Sequence, residues 1–322
     1  MGSTYLITGV AGLIGSHLAE RLRAAGDRVV GVDNFNDYYD VDQKRANLAG
    51  LAGDDGFTLV EADIRDADAL HRVVAAHRPR AVAHLAAMAN VRYAVGRTPL
   101  YHEVNVSGTV NLLEAVLAAG VPHVVFASTS SVYGNTDRLP FREDDPADRP
   151  LSAYPATKRA GELLGHTYHH LHGISFTALR FFSVYGPRAR PDMMPFIVTD
   201  RIARGESITL FNAGRMKRDW TYVGDIAAGV AAALERPLGY EVLNLGRGEP
   251  VLMADFVRLL EERIGRPAIT ECPPAPASEP TVTYADTARA RRLLGYDPQT
   301  PVAEGLDRLW DWYRRRGAPA AR

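Results

Sequence analysis

The sequence predicts an α/β fold built on a doubly wound parallel sheet, with a second region of different character interleaved behind it. Three observations predict it. Short apolar runs alternate with helical segments through the first half. The first of those runs enters a turn with Gly9, Gly12 and Gly15 and leaves it as a helix. The second run closes on an acid, Asp33.

Each element can be justified in order. Tyr5-Leu6-Ile7-Thr8 is a short buried strand. The glycines after it, with Leu13 and Ile14 between them at the cofactor, allow a tight turn and a close approach to a pyrophosphate, and the helix Ser16 to Leu22 points its N-terminus at the anion. The spacing is a variant of the dinucleotide fingerprint. Arg28 to Val32 is the second strand, and Asp33 stands where ribose hydroxyls lie. A carboxylate there repels a 2′-phosphate, so NAD is expected over NADP. A polar, aromatic loop, Asn34 to Tyr39, follows at the adenosine end. Phe57 to Val60 is the third strand; Asp63-Ile64 beyond it faces the adenine amine or caps the helix near Ala67. Ala81 to Leu85 is the fourth, and Ala86-Ala87 leave room for the cofactor. His84 within it reads as a satisfied buried histidine. Strands near 123–127 and 175–179 complete the set, with a helix over Thr109 to Val116 between the fourth and fifth.

The character changes from about Phe182. Gly186 to Pro191 is a loop, Pro195 to Arg204 a helix, and Leu245-Gly246 the end of another strand. Cys272 to Ala277 is a proline-rich surface loop. Val302 to Arg316 is an amphipathic helix whose Trp310 and Trp312 suit core packing, and Arg314 to Arg316 form a solvated end that complements the helix dipole. No clean linker separates the regions.

Composition bounds the function. With 322 residues, 46% hydrophobic and 23% charged, the chain suits a globular protein of one or two domains. Lys and Arg total 37 against 38 Asp and Glu, a net charge of −1, so no general attraction to nucleic acid or membrane is expected. Cys272 is the single cysteine, which leaves no intrachain disulfide, and no metal-ligand spacing is visible. No apolar run spans a bilayer and the N-terminus reads as a strand, so a cytoplasmic setting is the default.

The chemistry is concentrated in Tyr154 and Lys158, four residues apart and on one helix face. An ammonium beside a phenol lowers its pKa, and a phenolate can take a hydroxyl proton. The strand Val124 to Ala127 ends in Ser128-Thr129-Ser130-Ser131, hydroxyls at the edge where open sheets bind ligands.

These residues resemble the extended short-chain dehydrogenase/reductase family. The resemblance rests on Thr8 to Gly15, His84 to Ala87, Asn105-Val106-Ser107-Gly108-Thr109, the serine segment, and Tyr154 with Lys158. It covers nearly the whole chain. It implies a Rossmann-type NAD domain over 1–180 and about 217–246, a nucleotide-sugar domain over 181–216 and 247–322, and a homodimer. By the same likeness Tyr154 is the base, Lys158 also holds the nicotinamide ribose, Thr129 is the hydroxyl partner, and Leu85 and Asn105 join the cofactor site.

Arg180 to Pro187, Arg190-Pro191-Asp192-Met193, Met216 to Tyr222 and Asp33 to Tyr39 are similar to the UDP-glucuronate 4-epimerases of that family. This likeness places a sugar carboxylate on Arg190, Ser130, Ser131 and Ser183, and a diphosphate on Arg218, with Met193 and Phe211 at the UDP-sugar. Serines at 130 and 131 stand where the family's 4,6-dehydratases carry acids, and Ser131 where its decarboxylases carry a glutamate. A UDP-galactose 4-epimerase has no evident use for Arg190. A non-catalytic NAD(P) sensor would not retain the tyrosine, the lysine and the hydroxyl partner. Three departures from the pattern stand out: Ser183 for threonine, Ser278-Glu279-Pro280 for a Gly-Asp segment, and Met88 for glutamine.

Overall fold

The computed structural model describes residues 2–275 and 280–316. Its strands are β1 (Thr4–Thr8), β2 (Arg28–Asp33), β3 (Phe57–Glu61), β4 (Ala81–His84), β5 (His123–Thr129), β6 (Ser175–Phe181), β7 (Ser183–Tyr185), β8 (Ser207–Thr209), β9 (Lys217–Tyr222), β10 (Tyr240–Leu245), β11 (Pro250–Leu252), β12 (Ile269–Glu271) and β13 (Val282–Thr283). The helices are α1 (Leu13–Ala24), α2 (Val41–Asn47), α3 (Ala67–His77), α4 (Thr98–His102), α5 (Gly108–Ala118), α6 (Ala153–His172), α7 (Met194–Arg204), α8 (Val223–Glu235), α9 (Met253–Ile264), α10 (Ala288–Leu294) and α11 (Val302–Arg316).

Seven strands form a parallel sheet in the order β10-β6-β5-β4-β1-β2-β3. This is the expected doubly wound α/β fold. The order reverses between β1 and β4, so a crevice opens at the carboxyl ends there. Strand β9 organises a smaller sheet with β7, β11 and β13, while β8 pairs β12. Residues 217–222 therefore lie in the small sheet, and the large one resumes with α8 and β10.

Side-chain alternation explains the layers. On β1, Leu6 joins Leu70, Val74, Leu112 and Tyr168, beneath α3, α5 and α6. Tyr5 and Ile7 point the other way, to Leu18, Leu22, Ile226 and Val230 of α1 and α8. That second cluster continues into Trp220, Phe256, Leu260, Leu306 and Leu309 of the smaller unit. The two units share one core, which is why no linker is visible in the sequence.

Helix α6 is seated by missing side chains. A Cβ on Gly161 would lie 2.4 Å from the Phe126 ring, and one on Gly165 2.2 Å from the Phe176 ring. The helix therefore rides directly on β5 and β6. Lys158, one turn before Gly161, is carried on the same face.

The C-terminal helix buries Val302, Leu306, Leu309 and Tyr313. Trp310 and Trp312 are half-buried beside Phe196 and Tyr313, as core packing requires. Arg316 departs from the expected solvated end. Its guanidinium lies 5.1 Å from the Phe196 ring centre and 5.0 Å from that of Trp312, and it donates to Gln43 Oε1 at 2.9 Å. A planar cation gains more over aromatic faces than a helix-end charge gains in water. Cys272 to Ala275 is irregular, and exposed up to Pro274; Pro276 to Glu279, including the Ser278-Glu279 departure, lie outside the described residues. Among the described residues no helix is long and apolar enough to cross a membrane.

Candidate active site

The carboxyl edge of the large sheet opens into a cavity of about 470 Å³. Its floor is the glycine turn. Gly9 has φ +72°, and a Cβ there would meet the Ala86 nitrogen at 2.7 Å. A Cβ on Gly15 would meet the Gly9 carbonyl oxygen at 2.3 Å. Gly12 is the N-cap of α1, whose first-turn amides, those of Leu13 and Ile14 among them, have no acceptor inside the helix. Backbone this close, with free amides, is a cradle for a pyrophosphate. A dinucleotide fits the residues present.

Asp33 lines the same cavity. Its carboxylate accepts from the amides of Ala11 and Phe35, both at 3.0 Å. Burial raises its pKa, against those bonds and the charge of Lys44. Asp63 accepts from Asn34 Nδ2 at 2.8 Å and from Arg65 Nη2 at 2.8 Å. The Arg65 bond, despite partial burial, brings its pKa down to about 2. Asp63 is not the helix cap; Asp66 is, accepting from the Ala69 amide at 2.9 Å. Asn34, Asp63, Ile64, Leu85, Ala86 and Ala87 all reach the wall. Asn105 does not. It sits one layer behind, in a π-helical turn, bonded to both backbone groups of Met88 and to Thr157. It braces the strand-end loop from inside.

His84 is the satisfied histidine the sequence suggests. Its Nδ1 is 2.7 Å from Thr8 Oγ1 and its Nε2 is 3.0 Å from Thr109 Oγ1. Thr109 already donates to the Asn105 carbonyl, so Nε2 carries the proton. Burial, with the charge of Lys158, lowers its pKa to about 3.

Tyr154, Lys158 and Thr129 come together on this wall. Their electrostatics differ from the expectation that the ammonium lowers the phenol. Burial raises the Tyr154 pKa, and the Thr129 hydrogen bond and the charge of Arg190 only partly oppose it. Lys158 is itself desolvated: burial, against the pull of Glu162, lowers it to about 7. Its Nζ rests 4.6 Å from the centre of the Phe126 ring. Both groups lose water, and that penalty outweighs what one gives the other.

Arg190 and Met193 also line the cavity. Arg190 is bound to Asp192, Nε to Oδ1 at 2.9 Å, and to the Ala89 carbonyl at 3.0 Å. The other predicted substrate residues do not line it. Ser130 and Ser131 form the turn just past Thr129, whose hydroxyl accepts from the Ser131 amide at 3.1 Å. Ser183 pairs with Trp220 in the small sheet. Arg218, on β9, donates to the Pro280 carbonyl at 2.8 Å, and Phe211 lies under Arg92. Sequence reasoning passed over Tyr38, Tyr93, Lys44 and Phe181, which do line the wall. The aromatic loop after Asp33 was the one available signal for Tyr38.

A doubly wound sheet with a glycine cradle, an acid at the second strand and a Tyr-Lys pair beside a hydroxyl defines a nucleotide-dependent short-chain enzyme. The chain belongs to the NAD dependent epimerase/dehydratase family, whose model matches residues 5–246. It is 42% identical to the UDP-glucuronate 4-epimerase of Thermodesulfobacterium geofontis, over 96% of this chain and 95% of that one. The crystal structure of UDP-glucuronic acid 4-epimerase from Bacillus cereus with UDP-glucuronic acid and NAD superposes with a TM-score of 0.91, at 34% identity, covering 98% of this chain and all of that one. UDP-glucose 4-epimerase of Thermotoga maritima with UDP-glucose gives 0.88 at 30% identity, covering 97% and 99%.

Proposed function

We propose that this protein is an NAD-dependent enzyme that interconverts UDP-glucuronate and UDP-galacturonate by inverting carbon 4. One observation carries the choice of sugar: Arg190 stands in the wall that holds Tyr154 and Thr129. A guanidinium N–H makes a strong, charge-assisted hydrogen bond to a carboxylate, and Arg190 keeps one nitrogen for it. The relatives reported above support the same reading.

The large-sheet unit, 1–180 with α8 and β10, holds the cofactor, and the remainder holds the nucleotide sugar. NAD, when bound, supplies the hydride acceptor and donor. Gly9, Gly12 and Gly15 give it backbone approach, and Asp33 the ribose contact. Tyr154, once it has given up its own proton, takes the 4-hydroxyl proton, and Thr129 holds that hydroxyl in line. The sugar becomes a 4-keto species, turns its other face, and is reduced again, so no net redox occurs. A 4-keto uronate is a β-keto acid and loses CO₂ when its carboxylate stands perpendicular to the ketone. Arg190 holds it away from that angle, helped in this proposal by Ser130 and Ser131 just past Thr129 and by Ser183 between the wall residues Phe182 and Val184. Arg218, Phe211 and Met193 complete the UDP-sugar site.

The proposal includes a homodimer through helices of the cofactor unit. Leu163 and Leu171, 54% and 65% exposed on one face of α6, support it. It also includes a cytoplasmic setting, which a lone exposed cysteine suits.

The test is to incubate the purified protein with UDP-glucuronate and no added NAD, and to resolve the products by NMR. UDP-galacturonate is expected. A UDP-pentose as main product returns the decarboxylase reading. Conversion of UDP-glucose alone means that Arg190 serves something else.

A further inference from the structure

We propose that Asp192 is the positioning residue of the sugar-carboxylate site: it commits two nitrogens of Arg190 and leaves the third for the ligand. The inference rests on the function proposed above.

Three chain segments meet at this one carboxylate. Asp192 Oδ1 accepts from Arg190 Nε at 2.9 Å. Its Oδ2 accepts from Arg190 Nη2 at 3.4 Å, from the Tyr38 hydroxyl at 2.7 Å, and from Asn90 Nδ2. Nη2 also donates to the Ala89 carbonyl at 3.0 Å. A guanidinium is planar and rigid, so fixing Nε and Nη2 fixes Nη1 as well. Among the described residues Nη1 has no acceptor, and the side chain it belongs to lines the cavity beside Tyr154.

The anchors come from far apart. Tyr38 follows β2, and Asn90 follows β4 and is itself held, its carbonyl accepting from the Tyr101 hydroxyl at 2.6 Å. Both belong to the cofactor-side unit, whereas Asp192 directly precedes the N-cap of α7. The carboxylate therefore ties the loop that orients Arg190 to loops at the cofactor. The pair is also neutral as a whole. A ligand is then chosen by hydrogen-bond direction, not by a free positive charge, and that selects a carboxylate in one plane. Holding that plane is what keeps a 4-keto uronate from losing CO₂.

Asp192→Asn removes the charge that fixes the guanidinium. The readouts are the KM for UDP-glucuronate, the inhibition constant of UDP, which lacks the carboxylate, and the ratio of UDP-pentose to UDP-galacturonate. The expected result is a KM raised about tenfold, UDP inhibition within about twofold of wild type, and a larger pentose fraction. An unchanged KM overturns the proposal, and so does a lower one, which would make Asp192 a competitor of the substrate. KM and UDP inhibition weakening together overturn it too, because that is loss of structure. Where Asp192→Asn does not fold, Tyr38→Phe decides: a shift of about threefold in the ratio of the two constants supports the proposal, and an unchanged ratio overturns it. Failure of the functional reading shows separately, as a wild-type protein that makes no UDP-galacturonate, and takes this inference with it.

Discussion

Two arginine–carboxylate pairs in this molecule share a geometry and differ in surroundings. Arg180 gives Nε and Nη2 to Glu162 at 2.9 and 2.8 Å, with side chains 2% and 0% exposed. Arg190 gives the same two nitrogens to Asp192 at 2.9 and 3.4 Å, with side chains 22% and 26% exposed. In the first pair the carboxylate is closed off, and the one spare guanidinium nitrogen, Arg180 Nη1, is buried without a partner, away from the site cavity. Ser128 and Arg159 complete the Glu162 shell, and the Arg180 guanidinium stacks 4.7 Å from the Tyr133 ring centre. In the second, one nitrogen stays open on a cavity. Burial pushes both carboxyls up, and in both the paired arginine overcomes it and holds them ionised. The bond does not decide whether a pair is a strut or a site; the open edge does.

The largest effect that would break this contrast is at the strut. Glu162→Ala leaves Arg180 buried and uncompensated beneath α6, and a stability loss of about 3–5 kcal/mol is expected in denaturant unfolding. A loss under about 1 kcal/mol would mean that the core pair is no more structural than the exposed one. At the site the outcome is reversed. Arg190→Ala is expected to change stability by about 1 kcal/mol or less, because Asp192 keeps Tyr38 and Asn90 and some solvent. Its cost falls on the substrate: a KM for UDP-glucuronate raised about tenfold or more, or a leak of UDP-pentose. Normal kinetics with clean product would remove Arg190 from the carboxylate site.

The contrast also marks what the sequence can carry. The glycine turn, Asp33 and the Tyr154–Lys158 pair are local: strand, turn and helix periodicity place them, and they lie where expected. Arg190 was legible through its motif, but its partners were not. Tyr38 and Asn90 lie 154 and 102 residues from Asp192, and nothing in the spacing brings them to one oxygen. Arg180 and Glu162 are 18 apart, on a strand and a helix whose register is set only by how Gly161 and Gly165 seat α6. Asn105 lies behind the wall for a related reason: the π-helical turn carries it inward, to Met88 and Thr157. The direction of the tyrosine's pKa shift was misjudged because spacing shows a neighbouring charge and not the water lost around both groups.

The smallest effect expected here links the two regions through Lys158, which lies between the strut and the site. Its folded pKa is lowered to about 7 by burial, against the pull of Glu162, from an ordinary 10.5. Between those values the unfolded chain holds a proton that the folded one has released. Stability should therefore rise with pH across that window, by at most about 1.4 kcal/mol per pH unit. Below about pH 7 the penalty of burying the ammonium is fully present; above 10.5 it is gone. Lys158→Met removes the group, so the stability difference between wild type and variant should move in favour of wild type from pH 7.5 to 8.5, about 1 kcal/mol or less in chemical unfolding. The same slope should survive Arg190→Ala, because Lys158 takes its charge partner from the strut and not from the site. A slope that vanishes with Arg190 would join the two pairs into one electrostatic unit, and the open edge would no longer separate them.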